Sequence, residues 1–155
     1  LIKLGLVPYG DIVPMTAECP TLTFNTIGRH QSRLVRTRVA SNLSPWLAKT
    51  EVGDMHTIAI SHGEGRFVAS DDMLAQLKAN GQIATQYVDE AGVPGMDLSV
   101  NPNGSLLAIE GITSPDGRVF GKMGHSERYS NGTFKNVPGE KDQPLFAAGV
   151  EYFAA

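Results

Sequence analysis

A mixed α/β architecture is predicted by three features of this sequence. The first is a compact apolar run, Thr57-Ile58-Ala59-Ile60, bounded by polar residues and glycine. It reads as a buried strand of a parallel sheet. It runs directly into Ser61-His62-Gly63-Glu64-Gly65-Arg66-Phe67, where glycines let the backbone turn sharply beside a ligand. The second is a set of alternating segments rich in β-formers. The third is a helix signature among them, Ser70 to Gly81, with its own start and stop residues.

Taken in order, Leu1 to Leu6 reads as the end of a helix, with Gly5 near its stop and Pro8 just beyond. Asp11 to Pro20 has no period and holds two prolines, so it is loop. Thr21 to Asn25 alternates as a strand, Gly28 to Ser32 is a connection, and Arg33 to Val39 is the next strand; the two are expected to pair antiparallel. Arg29, Arg33, Arg36 and Arg38 then fall on an exposed face and flank, a solvated basic surface rather than an anion site. Ser44-Pro45 starts a helix of one or two turns. Ser70-Asp71-Asp72 caps a helix from about Met73 to Lys78, which Asn80-Gly81 ends. Met73, Leu74 and Leu77 stand at helical spacing and form core. Gln82 to Val88 is a strand and Asp89 to Asp97 a loop. The turn-rich Asn101-Pro102-Asn103-Gly104-Ser105 precedes a strand from Leu106 to Thr113. Ser114 to Gly117 turns it back through Arg118-Val119-Phe120 toward His125. Asp142 to Phe153 carries Leu145, Phe146, Val150 and Phe153 at helical spacing and is read as a docked terminal helix.

The 155 residues are enough for one domain with a real core. Residues 1–155 are read as a single domain, without repeats, low-complexity stretches or linkers. A net charge of −3 and a pI of about 5.8 argue against a nucleic-acid binder. No apolar run approaches the ~18 residues of a membrane span. The single cysteine, Cys19, leaves no internal disulfide framework or cysteine-rich zinc site. It fits a reducing, cytoplasmic setting, and no metal site is expected.

The chemistry converges on Gly121-Lys122-Met123-Gly124-His125-Ser126-Glu127-Arg128-Tyr129. On an extended backbone, His125 and Glu127, at i and i+2, leave the same face. A carboxylate beside an imidazole fixes its tautomer and stabilises the imidazolium, as a base serving a nucleophile requires. His62 and Glu64 are candidates by position, because ligands bind beyond the carboxyl ends of strands in open α/β sheets.

Four motifs occur in order: Cys19-Pro20-Thr21-Leu22-Thr23-Phe24-Asn25, Ser61-His62-Gly63-Glu64-Gly65-Arg66-Phe67, Asn101-Pro102-Asn103-Gly104-Ser105 and Gly124-His125-Ser126-Glu127-Arg128. Together they resemble the glutaminase domains of phosphoribosylformylglycinamidine synthases, and more broadly class I (triad) glutamine amidotransferases. The resemblance covers essentially the whole chain. It implies a flavodoxin-like three-layer α/β domain that hydrolyses glutamine with a Cys-His-Glu triad. Its histidine and glutamate carry over to His125 and Glu127, with Ser126 standing where the family has proline. His62, Gly63 and Glu64 then line the glutamine pocket. The family's nucleophile lies in a Gly-x-Cys-Asn-Gly elbow, a pattern this sequence lacks, and Leu1 to Leu6 resembles the helix that follows that elbow. The chain is therefore expected to begin just after the nucleophile, as a partial amidotransferase domain that is inactive alone. Cys19, between Glu18 and Pro20 with no glycine elbow, is read as a buried or incidental thiol.

The resemblance also implies a synthetase-domain partner in purine biosynthesis, which uses the ammonia. ATP and magnesium belong to that domain, and no cofactor is expected in this chain. Without the N-terminal part, exposed apolar faces predict self-association or pairing with the missing segment. Two other readings stand beside this one: a non-catalytic structural or interaction relative of the amidotransferases, and a hydrolase using Cys19.

Overall fold

The computed structural model describes residues 1–154. β1 (Thr21–Thr23) and β4 (Arg66–Val68) pair as a short antiparallel ribbon. β2 (Gln31–Val39), β3 (Met55–His62), β5 (Ile83–Tyr87), β6 (Ile109–Thr113) and β7 (Phe120–Lys122) form one antiparallel sheet, in the spatial order β3-β2-β5-β6-β7. The helices are the one-turn α1 (Leu6–Tyr9), α2 (Asp71–Ala79) and α3 (Leu145–Phe153). Among the described residues no helix is long and apolar enough to cross a membrane.

The sheet curls until its ends approach. Beyond β7, the Met123 N–H donates to Glu110 O at 3.0 Å and the His125 N–H to Ala59 O at 2.8 Å. One segment is thus bonded to β6 and then to β3. This explains the continuous burial of His56 to Ile58 and Ile60 without a parallel sheet. Thr57–Ile60 was expected in a parallel sheet, but β3 runs antiparallel to β2, with Val35 opposite Ile58. Its outer edge is covered by the His125 bridge and by the Thr57 N–H donating to Glu140 O at 2.6 Å. An edge strand so covered reads like a central one.

The expected pairing of Thr21–Asn25 with Arg33–Val39 does not form. Asn25, 2% exposed, redirects the chain. Its Nδ2 donates to Arg29 O and His62 O, both at 2.9 Å, and its Oδ1 accepts the Gly65 N–H at 3.0 Å. These bonds tie β1 to the glycine-rich turn, so its partner is β4. β2 pairs with β3 and β5 instead. Val35, Thr37 and Val39 of β2 point into the core, leaving its arginines outside. There they fasten the 89–99 loop. Arg36 Nη1 meets Glu90 Oε1 at 3.0 Å, Arg38 donates to Gly92 O and Gln86 Oε1, and Arg33 donates to Ser99 O.

The remaining elements follow local chemistry. Gly5, at φ 84°, ends a 3₁₀ turn over Ile2–Leu4. Ser70 caps α2 by accepting the Met73 N–H, and Leu74 and Leu77 of α2 pack with Ile83, Ile109 and Ile112 of the sheet. Pro45–Leu47 makes one 3₁₀ turn, whose Trp46 ring lies so close to Gly149 of α3 that a Cβ there has no room. Leu106–Ala108 forms a 3₁₀ turn before β6 rather than the first part of that strand. Leu107 and Ala108 adopt positive φ there, and Gln86 Nε2 holds Leu107 O at 2.9 Å.

Candidate functional site

β7 stops at Lys122, three residues short of His125. His125 precedes a 3₁₀ turn over Ser126–Arg128, so the pair meets over a turn and not across the extended pleat that the spacing suggested. The contact itself is made: His125 Nδ1 lies 2.6 Å from Glu127 Oε1. With Nδ1–H held by the carboxylate, Nε2 is the nitrogen free to take a proton. Partial burial pushes the Glu127 carboxyl up. The donors at its own backbone N–H and at the His125 ring outweigh that, and it sits below its ordinary value.

Gly124 is required by closeness. A Cβ there would meet the Ile58 side chain and Glu110 Oε1. The Gly124 N–H donates to Glu110 Oε1 at 2.5 Å. His125 and Glu127 line a cavity of about 500 Å³ whose walls are mainly apolar, with Val7, Trp46, Phe67, Ile112 and Leu145 among them. A largely apolar pocket with a few convergent polar groups is the usual form of a small-molecule site.

His62 closes β3 at half-burial. Its two ring nitrogens have no hydrogen-bond partner among the described residues, and burial pushes the imidazole below its ordinary value. Its ring lies against Gly65, where no Cβ fits. Glu64 is exposed. The Gly63 carbonyl accepts the Asn25 N–H at 2.9 Å. His62, Gly63 and Glu64 are not among the residues that line the His125 cavity, and neither is Cys19. The Cys19 thiol accepts from Thr16 N at 3.4 Å and lies 3.5 Å from Thr16 Oγ1. Those Thr16 contacts, with Tyr9 adding to them, hold it below its ordinary value.

A buried polar set behind the pair escaped the sequence reading. Glu110, 2% exposed, is the second residue of β6. Its Oε2 accepts the Thr85 hydroxyl at 2.5 Å, and its Oε1 lies 3.9 Å from Lys122 Nζ. Lys122 Nζ donates to Ser126 Oγ at 2.8 Å and to Gln143 Oε1 at 2.7 Å. The signal was present: a carboxylate inside the apolar Ala108-Ile109-Glu110-Gly111-Ile112 must find partners, because an unpaired buried charge is too costly to keep.

A mixed α/β chain with a carboxylate-oriented histidine at the rim of an apolar cavity has the makings of a hydrolytic site. The chain matches the CobB/CobQ-like glutamine amidotransferase domain over residues 1–153, and it belongs to that family. It is similar to the phosphoribosylformylglycinamidine synthase subunit PurQ of Aquifex aeolicus (strain VF5), 37% identical over 130 residues, covering 84% of this chain and 52% of that protein. The same subunit of Methanosarcina mazei is 35% identical over 131 residues, covering 84% of this chain and 54% of that one. Among solved structures, PurLQS from Thermotoga maritima matches with a TM-score of 0.63 and 28% identity, over 86% of this chain and 52% of that chain. The chain thus spans about half the length of the curated relatives it matches.

Proposed function

We propose that this chain supplies the base half of a glutaminase site, which hydrolyses glutamine to glutamate and ammonia for formylglycinamidine ribonucleotide synthesis. The observation that carries the reading is the 2.6 Å contact between His125 Nδ1 and Glu127 Oε1 at a cavity rim, in a member of an amidotransferase family. His125 Nε2 takes the proton of a cysteine thiol. The thiolate attacks the side-chain carbonyl of glutamine, and His125 returns the proton to the leaving ammonia. A water then cleaves the thioester, with His125 again as base. Glu127 holds the ring and offsets its charge while the proton is on it. The thiol is not Cys19, which sits between Glu18 and Pro20 without a glycine elbow and has its sulfur engaged by Thr16. His62, Gly63 and Glu64 take part in glutamine binding from the adjoining turn.

The ammonia passes to a synthetase partner, in line with the synthase subunits this chain resembles; in this reading that partner is cytoplasmic and uses ATP and magnesium. Leu1 and Phe146, 54% and 57% exposed, stand at the cavity and suit an apolar contact with the thiol-bearing segment. Residues 1–155 alone are therefore inactive and self-associate through this face.

The test is glutamate release from glutamine by the complete gene product with its synthetase partner. His125→Ala should lose on the order of 10³-fold or more in kcat, since members of such a unit fail together. Cys19→Ser should leave the rate unchanged. Full activity in His125→Ala, or loss in Cys19→Ser, would sink the assignment.

A further inference from the structure

His125 is followed by a single 3₁₀ turn, too short to hold a catalytic ring by its own backbone bonds. Its own N–H is held by Ala59 O at 2.8 Å, and its two neighbours are gripped from behind as well. Before it, the Gly124 N–H is held by Glu110 Oε1 at 2.5 Å. After it, Ser126 Oγ accepts from Lys122 Nζ at 2.8 Å and donates to Gln143 Oε1 at 2.6 Å. Lys122 Nζ also reaches Gln143 Oε1 at 2.7 Å and faces Glu110 Oε1 at 3.9 Å. One buried ion pair therefore holds both residues that flank His125. Gln143, 4% exposed, ties the same group to the start of α3.

Two charges out of water lose hydration that an apolar pair of similar volume would not lose, so the pair is a poor device for stability alone. The side chain of Lys122 is 11% exposed and that of Glu110 is 0% exposed. Burial holds the Lys122 ammonium below its ordinary value, and the Glu110 carboxylate opposes that. What such an arrangement provides is a fixed geometry.

We propose that Lys122, Glu110, Ser126 and Gln143 are positioning residues that clamp the backbone on either side of His125 and so aim its ring. The proposal rests on the glutaminase reading for its rate prediction, but not for its structural one. Proton transfer needs the base within hydrogen-bond reach of its target, and a misplacement of about 1 Å can lower the rate about 10²-fold.

Ser126 offers a clean test. As the first residue of its turn, its N–H has no partner within the turn, and a proline there would fix φ without losing a bond. His125, at φ −101° and ψ 81°, lies outside the helical region that a following proline disfavours. In the complete gene product with its synthetase partner, Ser126→Ala should lower kcat by roughly 10-fold or more, with KM within about twofold. Ser126→Pro should retain several-fold more activity than Ser126→Ala, because the ring replaces the clamp. Lys122→Met is made together with Glu110→Gln, so that no buried carboxylate is left unpaired. This double change should lower kcat less in the Ser126→Pro background than in the wild type.

The second readout is independent of activity: the ¹⁵N signals of the His125 ring. They should shift in Ser126→Ala and return toward the wild type in Ser126→Pro. A rise in KM at constant kcat would overturn the proposal, making these side chains substrate contacts. Equal losses in Ser126→Ala and Ser126→Pro would overturn it too, as the hydroxyl itself would then be needed. If the wild type releases no glutamate, the glutaminase reading falls. The clamp is then decided by the ring signals alone, and unchanged signals in Ser126→Ala would reject it.

Discussion

Glu127 is the residue whose charge can be tested most directly. Its carboxyl titrates below its ordinary value in the folded chain. The unfolded chain therefore takes up the proton first as pH falls. The pair's contribution is present above the ordinary carboxylate range and is lost as pH falls through the folded value. Across about pH 5 to 8 Glu127 stays ionised. Glu127→Gln keeps an acceptor for Nδ1–H but removes the charge that stabilises the imidazolium. It should lower kcat on the order of 10²-fold near neutral pH. A kcat within about twofold of the wild type would count against the role of that charge. The residues of this pair were legible in the sequence because their chemistry and spacing are local. Their support was not. Lys122 and Gln143, or Thr85 and Glu110, carry no mark of partnership, being 21 and 25 residues apart.

At the scale of elements, the helix α2 shows how much of the fold is written locally. Ser70, Asp71, Asp72, Asn80 and Gly81 predicted its ends, and Ser70 caps it as expected. Ser70→Ala should lower stability by about 1 kcal/mol in urea unfolding, the usual worth of such a cap. Strand pairing was not written in this way. The ribbon β1–β4 depends on Asn25 reaching residues 37 and 40 positions away, and no alternation pattern encodes that reach. The segment after β7 is constrained more sharply. Gly124→Ala would push a Cβ into Ile58 and Glu110 where β3 and β6 converge. Overpacking of that kind costs roughly 1–3 kcal/mol, and here it should also move the neighbouring His125. A variant as stable and as active as the wild type would show that the convergence is looser than described.

At the scale of the whole molecule, stability should depend on pH through two histidines. His56 and His62 are both pushed below their ordinary value, chiefly by burial. The unfolded chain thus binds protons near pH 6.5 that the folded chain refuses. Stability is full above that pH and declines as pH falls below it, until the folded values are passed. The urea midpoint should drop between about pH 7 and pH 5, and His56→Gln should flatten the fall. A midpoint that holds level over that interval would count against the burial of both rings. Neither histidine's burial could be foreseen from its sequence neighbours. The strand that carries His56, β3, is bonded along its outer edge by Glu140 O at the Thr57 N–H and by the His125 N–H at Ala59 O, contacts made across the curled sheet.

The sequence by itself determined the α/β class, the ends of α2, the family resemblance and the His125–Glu127 pair. Each is a property of residues close in the chain, or of motifs in a set order. Only the tertiary structure decided the antiparallel order of the sheet, the partner of β1, the covered edge of β3 and the buried pair behind His125. These are contacts between residues tens of positions apart. They are settled by which buried polar groups can satisfy one another once the sheet has curled, and no local spacing records that outcome.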